Sequence, residues 1–395
     1  MSSVKNKKKI AFVIQRYGNE VNGGAEDFCK EIAEHLKDAF DIEVLTTCAV
    51  DCYTWKNEYP EGEDSVNSVK VRRFKVDFER DMEKFVQVDD LMLSRPGDIE
   101  MGLEWMRMQG PYSSRLFDYL KQNEKQYDRI IYFTYLYAST FFGILEAHKK
   151  SILVPFAHDE PPIYRRIFRR IFMLPSAISF SAPEERDLVH SVFSNRHIKH
   201  DVIGKGIDIP MGLEVDKIKK KYDVDNYIIF SGRVDKAKGC DKLIEYFLEY
   251  KKKFSSDLQF VLTGKVTMDL PKHKDIIPVG FVSVEDKINL IAGALALVNN
   301  SKYESFSIVL LESLASKRPV LVNAKSLVMK GHVDRSGGGF VYEGKEEFLA
   351  LLRILETDTE KAKLLGENGY KYISENYDWE VVERKWASLL TNLKK

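Results

Sequence analysis

The sequence predicts an α/β fold of two parallel-sheet domains, on three observations. Short apolar runs rich in Ile, Val and Phe alternate with amphipathic segments along the chain. The alternation restarts after Asp208, within a Gly- and Pro-bearing segment at residues 204–210. The chain has 395 residues, more than one ordinary core holds. Alternating β and α builds a parallel sheet covered by helices on both faces.

The elements follow in order. Residues 10–15 read as a buried strand, and 25–36 as a helix with Phe28, Ile32, Ala33 and Leu36 on one face. Strands follow at 42–45 and 69–74, then a polar, Met-rich stretch over 76–109 that reads as mixed helix and loop. A helix at 113–122, a strand at 129–134 and a helix at 139–149 come next. The unbroken apolar content of 152–157 suits a strand buried on both faces. A strand at 177–180 leads into a helix at 183–192 with Pro183 in its first turn. In the second half, strands are expected at 227–230, 258–263, 276–279, 294–299 and 320–323. Helices are expected at 241–250, 308–316, 348–355, 360–373 and 379–393. The implied domains are 1–208 and 209–376, with a helical segment at 377–395.

Composition narrows the class. Lys plus Arg equals Asp plus Glu, 60 each, so the chain has no global attraction for nucleic acid or anionic lipid. No apolar run reaches the roughly 18 residues a membrane span needs. The basic start from Lys5 to Lys9 is followed by only a short apolar run at 10–14, which does not read as a signal peptide. Cys29, Cys48, Cys52 and Cys240 are few, which suits a reducing cytoplasm. Cys48 and Cys52 lack the second ligand pair that a closed zinc site needs, so no metal is expected.

Ligands of parallel sheets bind at the carboxyl ends of strands, so the loops there carry the functional search. Asn22-Gly23-Gly24-Ala25-Glu26 lies between the first strand and the first helix. It is either a phosphate-approaching turn at a helix N-terminus or a plain turn capped by Asn. It is not the glycine fingerprint of a dinucleotide site. His158-Asp159-Glu160-Pro161-Pro162 follows the strand expected at 152–157; it is a cleft loop, a capped helix start, or both. Gly232-Arg233 and the following Lys238-Gly239 make either an anion clamp or a solvated charged loop. In the run from Glu304 to Glu312, Glu312 sits in an apolar helix stretch and needs a partner, either ribose hydroxyls or a Lys or Arg. Glu304 lies in the loop ahead of that helix, where Ser305 to Ile308 offer backbone N–H groups to a phosphate.

These elements, in this order, resemble glycosyltransferase family 4, the retaining GT-B enzymes. Glu304 and Glu312 fit that family's Glu-x7-Glu element, and residues 313–320 fit its usual continuation. Gly232-Arg233 with Lys238-Gly239, Gly23-Gly24 and His158 fit its other marks. The resemblance covers nearly the whole chain and is densest over 227–323. It implies two Rossmann-like domains facing across a cleft, with the C-terminal helix crossing back to the N-terminal domain. It further implies that Arg233 and Lys238 neutralise the donor diphosphate, that Glu312 holds the ribose, and that Glu304 lies against the donor sugar. By the same resemblance Ser305, Phe306, Ser307 and Ile308 form the phosphate loop, His158 contacts the sugar, and Gly23 and Gly24 face the phosphates. Many members have Gly where Ser305 and Ser307 stand, which puts the loop geometry in question. Residues 76–109, with Gln109-Gly110-Pro111 and His158-Asp159-Glu160-Pro161, are similar only to a polysaccharide or glycan-assembly subset.

The expected reaction is retaining transfer of a hexose-type sugar from a UDP- or GDP-sugar to a glycan, lipid-linked or protein-linked acceptor. No metal or cofactor is expected, and no carboxylate stands out as a covalent nucleophile, so same-face attack assisted by the leaving phosphate is favoured. Tyr135, Tyr137 and Asp159 are expected on the acceptor side. Three rivals stand beside this expectation: a sugar-nucleotide epimerase, a non-catalytic partner subunit of the same fold, and a nicotinamide dehydrogenase. The last lacks its fingerprint. Residues 164–172 are basic and partly amphipathic, and read as a core helix in preference to a peripheral contact with the inner face of a membrane.

Overall fold

The computed structural model describes residues 7–393; Lys5 of the basic start, and Lys394 and Lys395 of the C-terminal segment, lie outside the described residues. The chain forms two units. The first runs to Lys205 and regains the chain from Glu383 onward; the second is Gly206–Val382.

The first unit contains β1 (Lys9–Val13), α1 (Gly24–Leu36), β2 (Asp41–Thr47), β3 (Gly62–Val66), β4 (Val69–Phe74), α2 (Met82–Ser94), α3 (Ile99–Gln109) and α4 (Ser114–Asn123). It continues with β5 (Arg129–Phe133), α5 (Ala138–Glu146), β6 (Ser151–Val154), α6 (Phe168–Ile171), β7 (Ala177–Phe180), α7 (Pro183–Phe193) and β8 (Lys199–Val202). Its sheet has the order β3-β4-β2-β1-β5-β6-β7-β8, and every pair is parallel except β3 with β4. β5 and β6 are buried at every position, as strands covered on both faces must be.

The second unit contains α8 (Val215–Tyr222), β9 (Tyr227–Ser231), α9 (Cys240–Lys253), β10 (Gln259–Thr263), β11 (Ile276–Gly280), α10 (Val284–Gly293) and β12 (Ala296–Asn299). It continues with α11 (Ile308–Ala315), β13 (Val320–Asn323), α12 (Leu327–Ser336), β14 (Gly339–Tyr342), α13 (Lys345–Thr357) and α14 (Thr359–Asn376). α15 (Trp379–Asn392) starts in this unit and continues in the first. The sheet order is β11-β10-β9-β12-β13-β14. Read from the unit's first strand this is 3-2-1-4-5-6, the doubly wound order, whose reversal lies between β9 and β12.

The unit boundaries fall at 205/206 and 382/383, against the 208/209 and 376/377 read from sequence, and the local packing explains the difference. Ile207 N–H donates to the Tyr377 carbonyl at 2.8 Å, and Trp379 Nε1 donates to Asp208 at 3.0 Å. Gly206 lies so close under the Trp379 ring that a Cβ would come within 2.1 Å of it. Trp386, fully buried in the first unit, donates instead to the Gly204 carbonyl at 3.2 Å.

Some expectations are corrected. The strand expected over 152–157 ends at Val154: Pro155 follows, and Phe156 takes a left-handed φ of 50° that turns the chain away. His158 is therefore on a loop, not at a strand end. Residues 164–172 form no continuous amphipathic helix; only Phe168–Ile171 is α-helical. Arg165 there is buried, 2.8 Å from Asp89 and stacked 4.1 Å over Trp105, while Arg166, Arg169 and Arg170 are exposed. The stretch 76–109 resolves into two helices, each started by an aspartate cap, Asp81 on α2 and Asp98 on α3. β3, β8, α8, α10, α12 and β14 were not expected. β3 and β8 are polar edge strands, α8 buries only Ile218, and α12 has weak helical periodicity.

Glu185, in the first turn of α7, ties the loop after β6 to the end of β7. It is buried and accepts from the Ala157 N–H and the Ser181 N–H, each at 2.6 Å. Burial pushes its carboxyl up to about 7, against the downward pull of those N–H groups and of nearby His158. A folded-state value above the ordinary 4.5 means the native state holds the proton longer, so stability falls as pH rises from about 4.5 through about 7. Urea unfolding of the wild type at pH 5 and pH 8 should show this loss. Glu185→Gln should flatten it, removing a difference on the order of a few kcal/mol.

Candidate functional site

The reversal of strand order in the second unit sets the loop after β9 beside the loop after β12. Two bonded pairs hold these strands in parallel, Ala296 with Ile228 and Leu297 with Ile229. The first loop carries Gly232 to Gly239, the second Asn300 to Ser307. They meet through charge: Lys238 Nζ lies 2.8 Å from Glu304 Oε1 and 3.5 Å from Ser301 Oγ.

Asp235 organises the first loop. It accepts the Lys238 backbone N–H at 2.8 Å and a very short bond from Arg233 Nε. Burial acts upward on the Asp235 carboxyl, but the Lys238 N–H and the Arg233 guanidinium outweigh it and hold it below the usual range. The two cations expected to clamp an anion are thus each already on a protein carboxylate. Arg233 keeps half its side chain exposed, and Lys238 a third. Sequence reasoning passed over Asp235, although its place two residues after Arg233 was a usable signal.

The second loop ends in helix α11. Ser307 is its N-cap, with φ 60° and ψ 64°, in the left-handed region where Gly is at ease. Its hydroxyl makes no capping bond and is buried without a partner. The first N–H groups of α11 therefore have no intrahelical acceptor and point a partial positive charge into the loop. Phe306 is buried under this turn against the rings of Tyr377 and His332, at 5.5 and 6.1 Å. Burial pushes the His332 imidazole down to about 3, so it stays neutral and apolar packing there is undisturbed. Glu312, one turn into α11, takes the Lys partner that sequence left as one of two options: Lys287 Nζ lies 2.7 Å from Oε1. Its Oε2 is buried without a partner. Lys287 is on α10, a helix not expected from sequence, so it was missed.

In the first unit, Gly23 caps α1 and Gly24 is its first residue. A Cβ on Gly23 would fall 2.3 Å from Glu26 Oε2, whereas one on Gly24 would meet open space. Glu26 is buried on Arg16, at 2.6 Å, and on Gln15, at 2.9 Å. The anion nearest this glycine loop is thus the protein's own, and the Arg16–Glu26 pair was not foreseen.

His158 is half-buried, with Nδ1 3.6 Å from Glu160 Oε1. The same oxygen accepts the Tyr135 hydroxyl at 3.1 Å. Tyr135 is itself buried, edge-on to Phe168 at 4.8 Å, with its hydroxyl on Glu160. Tyr137 packs edge-on to Trp55 at 5.5 Å; exposed Asp159 accepts from Tyr164 at 2.6 Å. Glu160 is the residue that joins this group; the sequence offered it within a loop read as a cleft loop, a capped helix start, or both, and gave it no role of its own.

Residues 213–372 match the family described as Glycosyl transferases group 1. This stretch is a glycosyltransferase group 1 domain. It contains Arg233, Lys238, Glu304 and Glu312, the side chains that the second unit gathers. An uncharacterized glycosyltransferase of Methanocaldococcus jannaschii is 27% identical over 232 residues, which is 54% of this chain and 58% of that protein. A glycosyltransferase 1 domain-containing protein of Xenopus tropicalis is 27% identical over 136 residues, 34% of this chain and 38% of that protein. The chain thus spans less than two thirds of these curated relatives. Among solved structures, sucrose-phosphate synthase of Thermosynechococcus elongatus superposes with a TM-score of 0.70 at 15% identity, covering 98% of this chain and 99% of that one. Anabaena HepE in complex with UDP-glucose gives 0.71 at 15% identity, covering 97% and 99%. The fold is the two-domain α/β fold of the GT-B glycosyltransferases.

The left-handed Ser307 yields a test. Ser307→Gly should keep or raise stability, because Gly adopts this φ freely. Ser307→Val should lower it by about 1–3 kcal/mol, since a β-branched residue resists positive φ and would reshape the turn. Urea unfolding of both variants against wild type checks this.

Proposed function

We propose that this protein is a retaining, metal-independent glycosyltransferase. It moves a hexose-type sugar from a UDP- or GDP-sugar to a glycan, lipid-linked or protein-linked acceptor, in surface polysaccharide or glycoconjugate assembly in the cytoplasm. The observation that carries the proposal is the meeting of Lys238 and Glu304 at the strand-order reversal, ahead of a helix whose Glu312 keeps one buried oxygen unpartnered. The group 1 match over the same residues and the UDP-glucose held by the similarly folded HepE support the donor class.

In this mechanism the bond from the anomeric carbon to the diphosphate oxygen breaks, and its electron pair leaves with the diphosphate. Arg233, Lys238 and the N-terminus of α11 stabilise the charge that builds there. Lys238 carries three donors, so it can keep Glu304 while reaching a phosphate oxygen. Glu304 then lies beside the donor sugar, and Glu312 Oε2 accepts a ribose hydroxyl while Oε1 stays on Lys287. Ser305, Phe306, Ser307 and Ile308 line the phosphates with backbone N–H groups. The acceptor hydroxyl attacks from the face the diphosphate leaves, and its proton passes to the departing phosphate oxygen. His158 is assigned to the donor sugar and Gly23 and Gly24 to the phosphates by family resemblance, with Asp159, Tyr137 and Tyr135 on the acceptor side.

Nucleotide release from a panel of UDP-, GDP- and dTDP-sugars tests the proposal. One donor should turn over selectively, and Lys238→Ala should lower kcat/KM on the order of 100- to 1,000-fold with the fold intact by circular dichroism. No release and no nucleotide binding with any donor would favour a non-catalytic partner subunit. The anomeric configuration of the product, read by proton NMR, should match that of the donor; an inverted product refutes same-face attack.

A further inference from the structure

Asn300 lies one residue past β12, at the start of the second loop of the second-unit site, and both ends of its amide are bonded. Its Nδ2 donates to the Gly239 carbonyl at 3.2 Å. Its Oδ1 accepts from the Asn323 amide at the end of β13 and from the Tyr342 hydroxyl at the end of β14, the latter at 2.8 Å. Tyr342 is buried, and Asn323 is held in turn by the Lys325 N–H at 2.9 Å. One side chain therefore links the carboxyl ends of three adjacent strands, β12, β13 and β14, to the turn that carries Lys238.

The turn is shaped to receive it. Gly239 has φ 71°, and a Cβ there would lie 2.6 Å from Asn300 Nδ2 and 2.9 Å from the Asn300 carbonyl oxygen. Only Gly lets the backbone come this near. On its other side the turn is held by Asp235, through the Lys238 N–H at 2.8 Å, and by the Lys236 carbonyl, through the Gly239 N–H at 3.0 Å. The next residue along β12's loop, Ser301, also faces Lys238, with Oγ 3.5 Å from Nζ. An uncharged amide buttressed by buried partners fixes where the Lys238 backbone sits without competing for the lysine's charge.

We propose that Asn300 is a positioning residue for the Lys238 clamp: it sets the Lys238-Gly239 turn against the rigid ends of β12, β13 and β14, and so determines nucleoside diphosphate affinity through Lys238. This rests on the function proposed above, and the test separates the two. UDP, GDP and dTDP are titrated by calorimetry into wild type, Asn300→Ala, Lys238→Ala and the double variant, and the tightest diphosphate is followed. Asn300→Ala should weaken binding about tenfold alone and by less than about threefold in the Lys238→Ala background, because neighbours that act as a unit are non-additive. Tyr342→Phe removes one of the bonds to Asn300 Oδ1 while keeping the ring, and should weaken binding in the same direction by about two- to threefold. It decides the matter if Asn300→Ala does not fold. Wild-type affinity in a folded Asn300→Ala, or in Tyr342→Phe where Asn300→Ala does not fold, overturns the inference while leaving the clamp standing. Equal losses from Asn300→Ala with and without Lys238 likewise overturn it. A wild type that binds no diphosphate overturns the donor proposal itself.

Discussion

The parallel pairing of β9 with β12 is the constraint on which the second-unit site depends. Strands separated by more than sixty residues of chain lie side by side, so their outgoing loops leave together and have nowhere to go but toward one another. The crossover rule for parallel strands then puts α9 and α11 behind these loops, with their N-termini facing the same space. Lys238 meets Glu304, and Asn300 meets Gly239, because of this adjacency and not because of any local sequence preference.

Electrostatics gives the site its character. Each cation of the expected clamp already rests on a carboxylate, Arg233 on Asp235 and Lys238 on Glu304. Ion pairs that are partly exposed contribute little to stability. What they do here is hold long, flexible side chains in one place. Glu312 shows the complementary arrangement: Lys287 compensates its charge while one oxygen is left with an unmet acceptor capacity. In the first unit the same logic runs inward. Glu26 is buried on Arg16 and Gln15, and Glu185 on two backbone N–H groups, so these carboxylates fix loops and do not wait for a partner.

Much of the fold was legible because apolar periodicity is local. β4, β7 and β13 have the bounds their sequences suggest, and α1 buries the face that Phe28, Ile32, Ala33 and Leu36 mark out. The misses share a cause. β3 and β8 are polar edge strands stabilised by a neighbour's backbone, and α8, which buries only Ile218, and α10 are held by cross-contacts, such as Tyr222 with Asp286, that lie outside any short window. The strand expected to run to Ala157 stops early because Pro155 has no N–H to donate and Phe156 turns the chain away at a left-handed φ of 50°.

The sequence alone determined which ionisable residues follow apolar runs or sit within an apolar helix: Arg233, Lys238, Glu304, Glu312 and His158 were all found by that placement. It also determined the alternation that makes two doubly wound sheets. Only the tertiary structure decided the partners, because pairing between side chains dozens of positions apart depends on strand order, which no local pattern encodes. Asp235 under Arg233, Lys287 on Glu312, Glu160 between His158 and Tyr135, and Asn300 beneath Gly239 all became visible once the strands had neighbours.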